Sequence, residues 1–274
     1  AAMVAPTPVS ALLHAVAVVK AGVFSILKVA IYVFGIDGLK EVPTADIMLY
    51  IAAATIVISS CIAMTKDNLK ARLAYSTVSQ LSYIVVGALL ASSVAAAGAA
   101  LHIATHAVGK ITLFFCAGAI MVASHKKNIS DMAGLGKTMP LTIPAFALGA
   151  ISIIGLPPMA GTWSKWYLAL GALESDKLII VAVLMVSSLL NIAYLLPIPS
   201  RAFFSPASSS SENGADGSEA QPWSWSQTKE APLPCLIAIG VTSAGCLILF
   251  FFPQPLIDLI NLIPGINGHT VGGA

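Results

Sequence analysis

Residues 96–123 read AAGAALHIATHAVGKITLFFCAGAIMVA, an apolar run that carries two histidines and one lysine. About 20 mainly apolar residues suffice for a helix to cross a bilayer, so this stretch predicts a membrane-spanning helix. The whole chain shares this character: 57% of its 274 residues are hydrophobic, 9% are charged, and the mean hydropathy is +0.89. Soluble domains are about 25% charged. The composition therefore excludes a soluble enzyme, a nucleic-acid-binding protein and a disordered chain, and it indicates an integral protein of the lipid bilayer.

Seven apolar segments predict an all-α transmembrane bundle with about seven spanning helices. The segments are 9–34, 45–64, 74–92, 96–123, 140–173, 178–200 and 233–252. The fifth exceeds one span and contains Gly155, Pro157, Pro158 and Gly161. Proline removes a backbone donor and disrupts a helix interior. We therefore expect a discontinuous helix here, which the bilayer tolerates only where the break is buried in protein or lines a wet cavity.

A polar, serine-rich stretch at 205–231 predicts a flexible loop, because it has too little apolar surface to order itself. It divides the chain into a transmembrane domain (1–204), the loop (205–231) and a last helix with its tail (232–274). Lys/Arg residues concentrate in the loops after the second, fourth and sixth segments, whereas the other side has only Lys40 and Lys177. The positive-inside rule then predicts that those three loops are cytoplasmic. With seven spans, the N-terminal end would lie inside and the C-terminal end outside.

Three lysines, Lys20, Lys110 and Lys165, lie centrally within the predicted spans, and no carboxylate does. A lysine at the centre of a membrane helix costs about 2.5–3.5 kcal/mol on insertion scales, so such a residue indicates a functional site. Lys28 is nearer the end of its segment, from where its ammonium group can reach the interface.

The spacing of His102, His106 and Lys110 places all three on one face of a helix. Histidine and lysine in a series, with water between them, can pass protons. A zinc site is the alternative for a His-x-x-x-His pair, but the sequence supplies no third ligand. Hydrogen bonding between helices is the other alternative. The spacing favours a proton path and no metal.

Several motifs together resemble the antiporter-like membrane subunits shared by respiratory complex I (NADH-quinone oxidoreductase) and the Mrp-type multisubunit cation/proton antiporters. They are PTPVSALLHA (6–15), VKAGV (19–23), LAYSTVSQ (73–80), HIATHAVGK (102–110), GLGKTMP (134–140), GLPP (155–158), SKW (164–166) and PIPSRAFF (197–204). The GLPP and SKW motifs resemble the D-type member of the Mrp group most.

The resemblance implies a family fold of about fourteen helices in two inverted repeats, each with one broken helix. It implies that this chain holds the second repeat, the C-terminal half, and that the glutamate and lysine of the first repeat lie upstream. Carried over by position, His14, Lys110 and Lys165 fall on the proton path of the family, and His102 and His106 on its accompanying histidines. The resemblance also implies that the chain itself holds no redox cofactor.

We therefore expect a proton-translocating subunit, multi-pass in the cell inner (plasma) membrane, that works with other membrane subunits of a complex I-like or Mrp-like assembly. Proton movement along the Lys/His axis would be coupled to quinone reduction or to cation exchange. A component of an Mrp-type Na⁺/H⁺ antiporter is the alternative, although a sodium site usually includes a carboxylate. A non-conducting membrane scaffold and a solute carrier with substrate at the broken helix are the remaining alternatives.

Overall fold

The computed structural model describes residues 17–205 and 228–266, which form twelve α-helices. The helices are α1 (Val18–Val29), α2 (Ile36–Lys40), α3 (Pro43–Thr65), α4 (Leu69–Leu89), α5 (Ser93–Ser124), α6 (Leu135–Thr138), α7 (Thr142–Ile154), α8 (Gly161–Glu174), α9 (Leu178–Leu195), α10 (Pro197–Phe204), α11 (Leu233–Phe251) and α12 (Gln254–Asn261). A π-helical turn (Ala30–Phe34) continues α1, and a 3₁₀ turn (Ile129–Met132) precedes α6. Extended backbone pairs within the described residues only at one isolated bridge, between Asn68 and Asn128. The fold of this part of the chain is all-α, as predicted.

Four helical stretches in the described residues are long and apolar enough to cross a membrane. They are Pro43–Thr65, Ser93–Ser124, Leu178–Phe204 and Leu233–Phe251. The predicted count of about seven spans is therefore not confirmed in full. Helix α4 has the length of a span, but polar side chains such as Ser76 and Gln80 lower its hydropathy. Helices α7 and α8, with 13 and 14 residues, are each too short to span alone.

Helix α5 is the 32-residue centre of the bundle, packing against α4, α7, α8 and α11. Small residues permit this close packing, as is common between membrane helices. A side chain on Gly171 of α8 would meet the backbone nitrogen of Ala95 of α5 at 2.4 Å. The central position of α5 buries the polar face that carries its histidines and its lysine.

The chain is non-helical between the end of α7 at Ile154 and the start of α8 at Gly161. Gly155 terminates α7 with a φ of 86°, a left-handed conformation that favours glycine. At Gly161 an added Cβ would lie 1.9 Å from the carbonyl oxygen of Ser152, so only glycine fits this approach. The two half-helices α7 and α8 thus meet within the bundle.

Glu230, at the end of the predicted loop, forms hydrogen bonds with the start of α7. Glu230 accepts hydrogen bonds from the backbone nitrogens of Leu141 (2.7 Å) and Thr142 (3.2 Å) and from the hydroxyl of Thr142 (2.6 Å). A carboxylate at this position satisfies backbone donors that have no partner in the first helical turn. The greater part of the predicted loop, residues 206–227, lies outside the described residues, as does His14.

Candidate functional site

The polar face of α5 carries His102, His106 and Lys110, all buried. The rings of His102 and His106 stack with centroids 5.6 Å apart and planes inclined by 29°. Lys110 follows one helical turn later, about 6 Å further along the axis. The three side chains expected to share a face therefore line one side of a buried column.

Lys110 is held by neutral oxygens alone among the described residues. Its Nζ donates to the carbonyl of Leu73 (3.1 Å) and to the hydroxyl of Ser76 (2.7 Å), both on α4. The hydroxyl of Ser76 lies 3.0 Å from the hydroxyl of Tyr194, and the Tyr194 hydroxyl donates its one proton to the side-chain oxygen of Asn191 on α9. Lys110 of α5 thus binds α4 directly and is connected through Ser76 to the hydroxyl and amide groups of α9.

Lys165 is the fifth residue of α8, shortly after the break. Its Nζ donates to the carbonyl of Ile154 (2.9 Å) and to the hydroxyl of Ser188 (3.2 Å). Ile154 is the last residue of α7, and carbonyls in the final turn of a helix have no partner within that helix. The break therefore supplies an acceptor for a lysine that has no carboxylate partner among the described residues.

Tyr83 and Ser164 connect the Lys165 region to the histidines. The Nζ of Lys165 lies 5.0 Å from the centroid of the Tyr83 ring, which stacks on His102 at 5.6 Å. The hydroxyl of Ser164 is 2.8 Å from Nδ1 of His102 and accepts a hydrogen bond from Thr105 at 3.2 Å. The structure thus brings Lys165, His102, His106 and Lys110 into one polar region.

Lys20 reaches the same helix from another side. It is 6% exposed, and its Nζ donates to the carbonyl of Ile103 at 2.6 Å, between the two histidines in sequence. It also lines an open, mainly apolar cavity of about 350 Å³ between α1 and α5. Lys28 is exposed on the surface of α1, and the predicted site residue His14 lies outside the described residues.

Buried polar atoms without a hydrogen-bond partner in the described part of the chain concentrate around this region. They include both ring nitrogens of His106, Nε2 of His102, the amide of Gln80, Nδ2 of Asn191 and the hydroxyl of Ser187. An unsatisfied buried polar group costs about 1–3 kcal/mol, so such groups normally bind water or a ligand. The arrangement is suited to a hydrated path.

Within residues 17–205 and 228–266, no three His, Cys, Asp or Glu side chains come together as a metal site requires. The donor set around the two histidines therefore does not fit zinc, which takes three or four such ligands.

Sequence reasoning missed the contributions of Tyr83, Ser188, Asn191 and Tyr194. A signal was present, because Ser187, Asn191 and Tyr194 recur at helical spacing in the otherwise apolar α9. Ser76 and Thr77 are neighbours in the LAYSTVSQ motif, and the sequence does not distinguish Ser76, which contacts Lys110, from Thr77, which donates to the carbonyl of Leu73 in its own helix.

Comparison with known families gives a match to "NADH:quinone oxidoreductase/Mrp antiporter, TM" over residues 1–191. The chain is 36% identical over 254 residues to NADH-quinone oxidoreductase subunit N of Desulforudis audaxviator, covering 92% of this chain and 50% of that protein. It is 38% identical over 175 residues to NAD(P)H-quinone oxidoreductase chain 5 of Synechocystis, covering 60% of this chain and 24% of the relative. The chain thus spans half the length or less of these two relatives.

Among solved structures, a chain of the Mrp complex from Dietzia sp. matches with a TM-score of 0.80 at 23% identity, over 97% of this chain and 56% of that one. A chain of respiratory complex I from Thermus thermophilus matches with a TM-score of 0.68 at 21% identity, over 93% of this chain and 51% of that one. At these identities the structural matches establish a shared fold.

Proposed function

The chain belongs to the NADH:quinone oxidoreductase/Mrp antiporter membrane family, and on that premise we propose that it translocates protons along its buried Lys/His axis. The family resemblance expected from the sequence motifs is confirmed. Relatives of this chain are subunits of multisubunit membrane complexes, so the proposed setting is such a complex, multi-pass in the plasma membrane.

The observation that carries the proposal is the buried row of titratable groups from Lys110 through His106 and His102 to the region of Lys165. Both lysines bond neutral oxygens, so a proton can leave either one without breaking an ion pair to a described carboxylate. Unpartnered nitrogens on the two histidines give water molecules places to bind between the lysines. The ring centroids of His102 and His106 are 5.6 Å apart, a separation that one water molecule can bridge.

In this proposal Lys110 and Lys165 carry protons, and His106 and His102 relay them. Ser164 positions His102, since its hydroxyl bonds Nδ1 and thereby orients the ring. Lys20 is a third carrier, approaching α5 between the histidines, and His14 is assigned to the path by its place in the family motif.

The proposal extends to the organisation of the chain: residues 1–204 conduct, 205–231 form a loop and 232–274 hold a closing helix and tail. We also propose that the chain crosses the membrane about seven times and forms the second of two inverted repeats. The coupled process is quinone reduction or cation exchange. We favour protons over sodium because a sodium site usually includes a carboxylate. Among the described residues, the buried side chains include Lys20 and Lys110 but no aspartate or glutamate.

The decisive experiment replaces each lysine with arginine and with alanine in the full-length subunit of the assembled complex. Arginine keeps the positive charge but stays protonated in proteins, so it cannot release a proton to a neighbour. We expect Lys110→Arg, Lys110→Ala, Lys165→Arg and Lys165→Ala each to lose most proton transport while the complex still assembles. Transport is measured in proteoliposomes with a pH-sensitive dye, and assembly by native gel electrophoresis.

Lys28→Arg and Lys28→Ala are the matched controls, because Lys28 is an exposed lysine of α1 away from the row. They should transport protons at the unmodified rate. Full transport by an arginine variant would contradict the carrier role of that lysine. Loss of assembly on alanine substitution with full rescue by arginine would indicate a structural cation, as in a non-conducting scaffold.

A further inference from the structure

A basic cavity lies at the end of the bundle that the positive-inside rule assigns to the cytoplasm. It has a volume of about 240 Å³ and lies where α4 begins and α5 ends. Three lysines line it, Lys70, Lys126 and Lys127. This cavity is separate from the Lys/His axis and is not used by the proposed transport.

The lining of the cavity is amphipathic. Leu69, Ala117 and Met121 form its apolar part, whereas the three lysines and Asn68 form its polar part. Val122, which follows Met121, is 57% exposed, so this end of α5 lies at the surface of the bundle. An apolar wall beside a basic wall matches a molecule with a hydrocarbon part and an anionic part.

The two segments that carry the lysines are fixed to each other. The backbone nitrogen of Leu69 donates to the carbonyl of Lys127 at 3.0 Å, and that of Ile129 donates to the carbonyl of Asp67 at 2.9 Å. The backbone therefore fixes the segments that carry the three lysines beside one cavity.

No described carboxylate neutralises these lysines through an ion pair. Asp67 is the acidic residue nearest to them in sequence. Its carboxylate accepts hydrogen bonds from the backbone nitrogen (3.1 Å) and the hydroxyl (2.7 Å) of Ser130. Like charges brought together repel, and an anion in the cavity would relieve the repulsion. The first turn of α4 adds the positive end of a helix dipole.

We propose that this cavity binds the phosphate group of an anionic phospholipid from the cytoplasmic leaflet, with Lys70, Lys126 and Lys127 as its ligands. Basic pockets between membrane helices on the cytoplasmic side suit anionic head groups. The volume is below the range of about 300–1,000 Å³ for sites that enclose a drug-sized ligand, so it suits a head group whose acyl chains stay in the bilayer.

The test uses the full-length subunit in its complex, reconstituted in vesicles that contain a photoactivatable phosphatidylglycerol. We expect crosslinks to residues 117–127, reduced several-fold in the variant with Lys70→Gln, Lys126→Gln and Lys127→Gln. Excess phosphatidylglycerol should compete, and excess phosphatidylcholine should not. Lys229→Gln is the matched control, because it removes an exposed lysine predicted to face the same side but outside the cavity.

Each other outcome overturns the proposal. Crosslinking unchanged in the triple variant, or competed equally by phosphatidylcholine, shows that the lysines do not select an anionic lipid. Competition by inorganic phosphate alone identifies a site for a free anion. If the triple variant does not assemble, the single variants Lys70→Gln and Lys127→Gln replace it, and unchanged crosslinking in both contradicts the proposal in the same way.

Discussion

Single side chains decide how the buried row works, and His106 is the most informative of them. It lies between His102 and Lys110 on α5, and neither of its ring nitrogens has a hydrogen-bond partner in the described part of the chain. A histidine buried in this way is poorly explained by packing, since a hydrophobic residue would avoid the cost of two unsatisfied polar atoms. Its position between two other titratable groups accounts for it better.

We predict that His106→Ala lowers proton transport less than Lys110→Ala does. Removing the ring leaves a gap of about 12 Å between His102 and Lys110, two steps of four residues along the helix, which water molecules that enter in place of the ring can bridge. Transport rates in proteoliposomes check this, and His125→Asn, at an exposed histidine in the left-handed cap of α5, is the control. A rate equal to that of Lys110→Ala would show that no water replaces the ring. An unchanged rate would remove His106 from the path.

At the scale of elements, the broken pair α7 and α8 depends on the contact between Gly161 and Ser152. We predict that Gly161→Ala lowers the free energy of unfolding by at least the roughly 1–3 kcal/mol typical of overpacking, because the new Cβ would lie 1.9 Å from a carbonyl oxygen. Thermal unfolding of the assembled complex measures the change.

Gly240→Ala is the matched control for that substitution. Gly240 lies inside α11, and an added Cβ there meets no atom within 4 Å. Alanine favours a helix over glycine by up to about 1 kcal/mol, so this variant should be neutral or slightly more stable. Equal destabilisation by both substitutions would contradict the close-contact argument.

An ion pair joins the starts of α3 and α9. The Nζ of Lys177 lies 2.8 Å from Asp46, and this hydrogen bond raises the pKa of Lys177 above its ordinary 10.5. A raised folded-state pKa gives stability that is complete below pH 10.5 and is lost as pH rises through the higher folded value. Because the pair is partly exposed, we predict that Asp46→Asn costs at most about 1 kcal/mol.

The pH dependence of unfolding tests this prediction. The difference between the unmodified protein and Asp46→Asn should stay constant between about pH 6 and 9, and it should shrink above about 10.5 as Lys177 loses its proton. A matched Asp37→Asn variant removes the exposed Asp37–Lys40 pair within α2, and it should change stability less. A difference that grows at alkaline pH would contradict the assignment.

At the scale of the whole molecule, the orientation of the bundle in the membrane can be tested at two exposed acidic residues. Asp131, after α5, should face the cytoplasm, and Glu41, before α3, should face the opposite side. In a variant whose exposed Cys61 and Cys235 are serine, we predict that a membrane-impermeant thiol reagent labels Glu41→Cys from outside. Asp131→Cys should react only after the membrane is opened. The reverse labelling would invert the proposed orientation.

Much of the candidate site could be predicted from the sequence because helical periodicity is a local property. The apolar segments predicted an all-α membrane protein, and the spacing of His102, His106 and Lys110 predicted a shared face. Gly155 and Gly161 indicated an interruption, and the chain is non-helical between Ile154 and Gly161. These conclusions depend only on the order of residues along the chain and on the free-energy cost of placing a charge or an unpaired backbone group in a bilayer.

Only the tertiary structure decided which side chains meet across helices. Ser76 and Thr77 are adjacent in sequence, yet Ser76 contacts Lys110 while Thr77 bonds its own backbone, because one residue rotates a helix position by about 100°. Tyr194 is 118 residues from Ser76, and no local pattern pairs them. Packing of α4, α5 and α9 brings these residues together. The sequence by itself does not specify which faces of these mainly apolar helices contact one another.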